Sequence, residues 1–297
     1  MSEQTKKRGR AGAVLLWVIA VLITLASAAY QRLTGPTHPK RGEFELGKTK
    51  YSYSLPRSHA GASGATISIP DPGDGCTAEL EYKRFKTQDA PLAMPMQISE
   101  KNGRRIFIGG LPHQPPAGKL EYSVILTTPE GTFKIPESGP VVIRFRGDVP
   151  AWAMIPHILL MFLAMLFSTR TALELLNPSG RIRRLAWYTL VAITLGGMIF
   201  GPIVQYYSFG EWWTGAPLGW DLTDNKTLIA FIGWVSACWT LGKRGIPPSR
   251  AARWHTLVSA VLMFVIFMIP HSMLGSELDY AKVDAGANPA GAIGHGR

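Results

Sequence analysis

Five stretches free of acids, lysine and arginine constrain this chain more than any other feature: Ala11–Tyr30, Val149–Ser168, Leu185–Gln205, Thr227–Gly242 and Trp254–Ile269. Crossing the hydrocarbon of a bilayer takes about 20 mostly apolar residues, with about 17 as a lower limit. The first three runs reach that length. The last two reach it only when their polar ends, 224–226 and 270–272, are added. The expectation is an α-helical membrane protein with five transmembrane helices. Lys6, Lys7, Arg8 and Arg10, followed by an apolar run and Ala26-Ser27-Ala28, also describe a signal peptide with its cleavage site. A retained anchor at 1–30 and a cleaved leader both remain open, with the length of the run favouring the anchor.

The formal charge of +11 invites a nucleic-acid reading until the charges are located. Segments 1–10, 170–184 and 243–253 carry ten of those net positive charges, whereas 205–226 and 271–297 hold only Lys226, Lys282 and Arg297 as basic residues. Alternating basic-rich and basic-poor connections are the positive-inside pattern. It implies an inner (plasma) membrane protein of bacterial type, with a cytoplasmic N-terminus and an extracytoplasmic large domain and C-terminus. Membrane lipid is then a partner and nucleic acid is not. Cys76 and Cys238 fall on opposite sides in this arrangement, which excludes an intramolecular disulfide. The sequence contains no CxxC, HExxH or GxxxxGK[ST].

Between the first two runs lies material of another kind, rich in Gly, Pro and Ser. "KYSYSLP", "ATISIP", "AELEYKRF", "RRIFIGGL", "KLEYSVIL", "TFKIP" and "VVIRFRG" each read as a short strand bounded by turn formers. Seven such strands suggest an antiparallel β-sandwich. In "KLEYSVIL", Leu120, Tyr122, Val124 and Leu126 share one face. The expected organisation is an anchor (1–30), a linker (31–48), an extracytoplasmic all-β sandwich (49–148), a four-helix transmembrane domain (149–273) and a flexible tail (274–297).

The stretch "AELEYKRF" followed by "FIGGLPHQPPAGKLEYSVILTTPEGTFKIP" resembles the fibronectin type III and immunoglobulin-like modules found outside bacterial cells. The matching features are Tyr82, the Leu111-Pro112 turn, the Ala117–Tyr122 strand entry and the Pro129-Glu130-Gly131 hairpin. The resemblance covers about Ala65–Gly147. It implies an immunoglobulin-like fold and no ligand, since such folds serve many functions.

A second resemblance lies in "FGEWWTGAPLGWDLTDNKT", Phe209–Thr227. Trp212, Trp213, Trp220 and Asp221 are similar to the tryptophan-rich WWD segment of cytochrome c biogenesis membrane proteins, which handle haem on the outer face. In this chain six residues separate Trp213 from Trp220, whereas the motif of that family is compact. The resemblance implies a haem site in which the tryptophans offer a flat apolar surface and histidines supply axial ligands. His157 and His271 are the candidates, as cofactor and metal ligands. His255 lies sixteen residues from His271, roughly 24 Å along a helix, and cannot share its iron.

Blander readings compete at each position. Tryptophans at span ends form an aromatic belt, Asp221 and Asp224 stand where a helix begins and can cap it, and His157 can bond to a neighbouring helix. Met94 and Met96, with Cys76, His59 and His113 in the same domain, offer soft ligands suited to Cu(I), although paired methionines more often pack. Ser272, Ser276, Glu277 and Asp279 near His271 permit a hydrolase, but no Gly-x-Ser-x-Gly elbow supports one. No catalytic residue is assigned. The functional expectation is a non-enzymatic accessory or binding component of a membrane complex, with a protein partner on the extracytoplasmic side. The alternative is a haem-binding membrane protein for electron transfer or cytochrome maturation.

Overall fold

A computed structural model describes residues 3–176, 181–242, 247–270 and 276–294. The chain opens with α1 (Glu3–Thr34), a helix whose apolar length matches a bilayer. It then enters a β domain containing β1 (Lys40–Leu46), β2 (Thr49–Leu55), β3 (Ser58–Ala60), β4 (Ala65–Pro70), β5 (Thr77–Arg84) and β6 (Leu92–Pro95). The domain continues through β7 (Gln97–Lys101), β8 (Arg104–Leu111), β9 (Lys119–Thr128), β10 (Gly131–Ile135) and β11 (Val141–Arg146).

All seven runs read as strands from their alternation are strands. β1, β3, β6 and β7 complete the set, with β1 and β2 pairing as a hairpin. One sheet runs β3-β11-β9-β5-β6, with β10 also paired to β9, and a second runs β4-β8-β7. Their alternate residues share one core. Leu120, Tyr122, Val124 and Leu126 of β9 are buried with Ile67, Ile69, Leu80, Phe107, Ile143 and Phe145, and Tyr82 packs at its margin. Tyr122 is sealed into that core and its hydroxyl donates to Pro56 O at 2.8 Å, which satisfies the one polar atom of its ring.

The segment Leu92–Lys101 supplies the outer strand of both sheets. Its chain switches sheets at Met96, which is buried and whose N–H donates to Ala78 O at 2.8 Å.

Past residue 146 come α2 (Ala151–Glu174), α3 (Ile182–Ile193), a π-helical turn (Thr194–Phe200), α4 (Gly201–Phe209), α5 (Leu222–Leu241) and α6 (Arg250–Met268). The segments Ala11–Thr34, Ala151–Glu174, Ile182–Phe209 and Arg250–Met268 are the four helices among the described residues long and apolar enough to cross a membrane. This corrects the expected fold class. The five-helix count fails at α5, because Asp224, Asn225 and Lys226 fill its first turn. α5 has the length of a span without its apolarity; α3 and α6 pack against one side of it, while Ile229, Ile232, Val235 and Trp239 are exposed on the other. Trp234 at its centre is fully buried, its Nε1 donating to Met263 Sδ at 3.0 Å. The β region departs from expectation too: it has eleven strands in three sheets, with β3 parallel to β11, in place of seven antiparallel strands. It begins at Lys40, inside the expected linker, because "KRGEFEL" pairs along its whole length with β2.

The basic segments do more than carry charge. Arg253 Nη2 donates to Leu175 O at the end of α2, and Arg183 Nε donates to Leu241 O at the end of α5, each at 2.8 Å. A cation on the last carbonyls complements the helix dipole as well as capping it. Within α2, Arg170 and Glu174 form a fully buried pair at 2.6 Å, with the guanidinium over the Trp17 ring at 5.4 Å.

The expected flexible tail is corrected over 276–294. It forms β12 (Glu277–Leu278), α7 (Tyr280–Asp284), a short 3₁₀ turn (Pro289–Ala292) and β13 (Ile293–Gly294), with β12 and β13 paired. Leu278, Tyr280, Ala292 and Ile293 bury against Ala117, so an apolar pattern sparse in sequence closes on the domain. We call this segment the strap.

Candidate functional site

Two sites lie at the end of the helices that carries the β domain. The first is a cavity of about 380 Å³ between α1, α2 and α6. Thr24, Ser27, Gln31 and Arg32 line it from α1, while His157, Met161 and Met165 line it from α2, at successive i, i+4 positions on one helix face. Thr24 and Ser27 satisfy their hydroxyls on their own helix, donating to Ala20 O at 2.8 Å and Thr24 O at 2.9 Å. Gln31 Nε2 donates to Phe267 O and Ile269 O at the end of α6, at 3.0 and 3.3 Å. Lys226 Nζ donates to Ile269 O from the other side, at 2.8 Å. Two side chains thus cap the carbonyls that α6 leaves open at its end.

His157 is held from behind. Its Nδ1 lies 2.9 Å from Gly196 O, and a carbonyl only accepts, so the proton sits on Nδ1. The neutral ring then keeps a lone pair on Nε2. Gly196 belongs to the π-helical turn, a local widening that recurs at functional sites. A Cβ at Gly196 would lie 2.8 Å from Leu160 Cβ and 3.2 Å from Met161 N, and one at Gly197 would lie 2.7 Å from Thr227 Cγ2. The two glycines let α2 and α5 close on the turn from opposite sides.

The second site is a groove of about 1050 Å³ bounded by the β domain, the strap and the Trp-rich loop. Arg84 binds Asp89 through Nε (2.6 Å) and Asp284 through Nη1 (2.7 Å). Glu277 takes Lys119 at 2.5 Å and Lys86 at 2.8 Å. Burial would raise the Glu277 carboxyl, but the two lysines outweigh it and hold the group below its ordinary range. Burial pulls the Arg144 guanidinium down to about 10 against the opposing charges of Asp221 and Glu277. Arg144 Nη2 donates to Ser276 O at 2.5 Å and its guanidinium lies over the Phe209 ring at 4.2 Å. The Tyr280 hydroxyl lies 3.0 Å from each of Lys119 N, Lys119 O and Gln114 Oε1.

Of the residues expected to share one haem pocket, those among the described residues are dispersed. Trp212 is half exposed and stacks on Tyr206 at 4.5 Å between centroids. Trp213 donates from Nε1 to Ala216 O at 3.0 Å, inside its own loop. Trp220 borders the groove and does not line the His157 cavity. Asp221 is consumed structurally: Oδ1 accepts from Thr223 N at 2.7 Å as the cap of α5, and Oδ2 accepts from Ser276 N at 3.0 Å. Asp224 Oδ2 accepts from Thr214 N at 2.6 Å. His271 lies outside the described residues.

Among the described residues His157 is the one imidazole lining the cavity, with Met161 a turn further along the same helix. Among the described residues no three His, Cys, Asp or Glu side chains gather to hold a metal. The Cu(I) set is not assembled either, since Cys76 and Met96 are buried in the β core while His59 and His113 pack on Phe145. Sequence reasoning found His157 and the Trp-rich loop, weighed Glu277 only as part of a hydrolase, and missed Arg144, Lys119 and Tyr280. No local motif joins these four; they meet because the strap folds back. No protein-family model matches the chain, and no curated protein matches it.

Proposed function

We infer that this chain is a membrane-integral, non-enzymatic component that holds a β domain in fixed pose at the extracytoplasmic surface for a protein partner. The observation carrying this reading is the open edge Leu92–Lys101. Every residue in it except Met96 is exposed, and Leu92 and Ile98 are exposed by 59% and 56%. Unpaired edge strands are templates for strand addition by another chain. The pose is supported by the strap, by Arg144 between Ser276 and Phe209, and by Gly147 N donating to Ser208 O at 2.9 Å. The distribution of basic segments favours the bacterial inner membrane, with the β domain outside.

A photo-crosslinking residue at Ser99, in intact membranes, is expected to give one discrete adduct that Ile98→Asp abolishes. The same residue at Lys50, on β2, should give none. Equal labelling from Ser99 and Lys50, or an adduct indifferent to Ile98→Asp, would refute the edge as the contact.

A further inference from the structure

Two histidines of the β domain meet at one backbone oxygen. His59 lies on β3, the parallel neighbour of β11 in the larger sheet, and His113 follows the end of β8 in the smaller one. His59 Nε2 stands 3.0 Å and His113 Nδ1 3.3 Å from Ser63 O, and Ser63 Oγ lies 3.4 Å from the same His59 nitrogen. The loop presenting this oxygen is fixed at both ends. Gly61 adopts a φ of +95°, which side chains with a Cβ rarely take, and its N–H donates to Arg146 O at 3.1 Å. A Cβ at Gly64 would collide with Leu111 O, so glycine there lets the loop close on the end of β8. Both imidazoles pack edge-on against Phe145, at 5.6 and 6.1 Å between centroids. A strand, a loop and the core thus hold two nitrogens and an oxygen around one point.

These separations suit a metal ion. An ion about 2.0–2.1 Å from each nitrogen and about 2.0–2.2 Å from the oxygen sees them at angles of roughly 90° and 105°. Tetragonal and tetrahedral coordination both fall in that range. A carbonyl only accepts, so as the rings stand His59 donates from Nε2 and His113 from Nδ1. Their other nitrogens bond to no described residue, and each ring can carry its proton there and turn the freed lone pair to an ion. No third His, Cys, Asp or Glu side chain joins the pair among the described residues; the main chain supplies the third donor. The donors also select the ion. Cys76 and Met96, the sulfurs that would favour Cu(I), are buried in the core. Calcium and magnesium take oxygen ligands. Among first-row divalent ions, affinity for nitrogen and oxygen donors peaks at Cu(II).

We propose that His59 Nε2, His113 Nδ1 and Ser63 O bind one Cu(II) ion at the rim of the β domain, with water in its remaining positions. The ion ties β3 of one sheet to the segment after β8 of the other. This site is separate from the open edge Leu92–Lys101 and does not depend on the partner assigned to that edge.

The test uses the full-length protein, purified in detergent without a histidine tag and stripped with EDTA. Cu(II) is titrated in against glycine as competitor, and the bound ion is read by electron paramagnetic resonance. The first equivalent should show hyperfine structure from two imidazole nitrogens. His59→Ala and His113→Ala should each weaken its binding by at least about tenfold, the loss that removal of a merely orienting group commonly brings. Each should also leave a single nitrogen in the spectrum. His255→Ala, on α6, should change nothing. Thermal midpoints matching wild type without metal identify the variants that fold. Should a histidine variant unfold, the wild-type spectrum still decides, because a first equivalent coupled to one nitrogen or none overturns the proposal. So does an affinity unchanged in a folded His59→Ala or His113→Ala protein. Displacement of the bound Cu(II) by an equal concentration of Zn(II) overturns the choice of ion.

Discussion

Replacing Tyr280 with phenylalanine removes one oxygen from the strap and little else. The ring stays buried, and Arg84 remains 5.0 Å from its centroid. The lost hydroxyl accepts from Lys119 N and donates to Lys119 O or Gln114 Oε1, all at 3.0 Å. Its absence leaves the Lys119 amide of β9 without a partner beneath the strap, while the Lys119 carbonyl keeps its bond from Phe85 N at 3.0 Å. An unsatisfied buried polar group costs about 1–3 kcal/mol. At about 1.4 kcal/mol per tenfold, the strap should open roughly 5- to 150-fold more often. Hydrogen exchange in detergent reads this residue by residue. The amide of Lys119 and those of Ala281 and Lys282, which Asp279 caps, should exchange faster by that factor. The amide of Val124, deep in the core, should not change. An unaltered Lys119 rate, or a uniform acceleration that includes Val124, would show that the strap is not anchored through this hydroxyl.

Gly196→Ala should lower the thermal midpoint in detergent, by the equivalent of about 1–3 kcal/mol of overpacking, because its Cβ meets the α2 backbone at 3.2 Å. Gly233→Ala, whose nearest neighbour is 3.7 Å away, should be tolerated; equal losses in both would refute the close-approach argument. Arg84 holds the Asp284 carboxyl below its ordinary 3.8, and Glu277 sits below its ordinary 4.5 despite burial. Depressed carboxyls stabilise the strap above those ordinary values, and that stability is lost as pH falls through the folded ones. Protease cleavage within 276–294 should therefore be slow at pH 5 and above and rise below about pH 4; a rise that begins between pH 6 and 7 would point to another group. In a background without Cys76 and Cys238, an impermeant thiol reagent on intact cells should label Leu218→Cys and spare Leu176→Cys, and the reverse would invert the orientation.

Legibility tracked the range of the forces involved. Alternation in "KLEYSVIL" marked a buried face because each side chain there answers to one sheet neighbour, and the predicted set Leu120, Tyr122 and Val124 is buried. β6 and β7 escaped notice because an edge strand has no partner demanding alternation, and all but Met96 in 92–101 is exposed. Apolar length identified four helices. It failed for α5, where Asp224, Asn225 and Lys226 at the start offset the apolar residues that follow. At the candidate sites, His157 was visible as a lone ionisable residue in an apolar run. The carbonyl that orients it lies 39 residues away in a π-helical turn, and nothing in "TLGGMIF" announces one. Asp221 was read both as a cap and as a ligand, and its bonds to Thr223 and Ser276 favour the cap.

The strap also orders assembly in time. It is translated after everything it ties together: β9 supplies Lys119, β11 supplies Arg144, and the turn before α5 supplies Asp221. From the end of β11 to Ser276 the ribosome adds about 130 residues, roughly 6–26 s of synthesis at about 5–20 residues per second. Throughout that interval the β domain can fold but lacks the strap's bonds, and holds its pose only by contacts such as Gly147 N to Ser208 O. Only a chain whose last helix has already delivered residue 276 to the correct face can close the latch. Misinserted copies would thus be left with a loose domain and an uncovered Ala117, a difference that a surveillance protease can read without recognising any sequence.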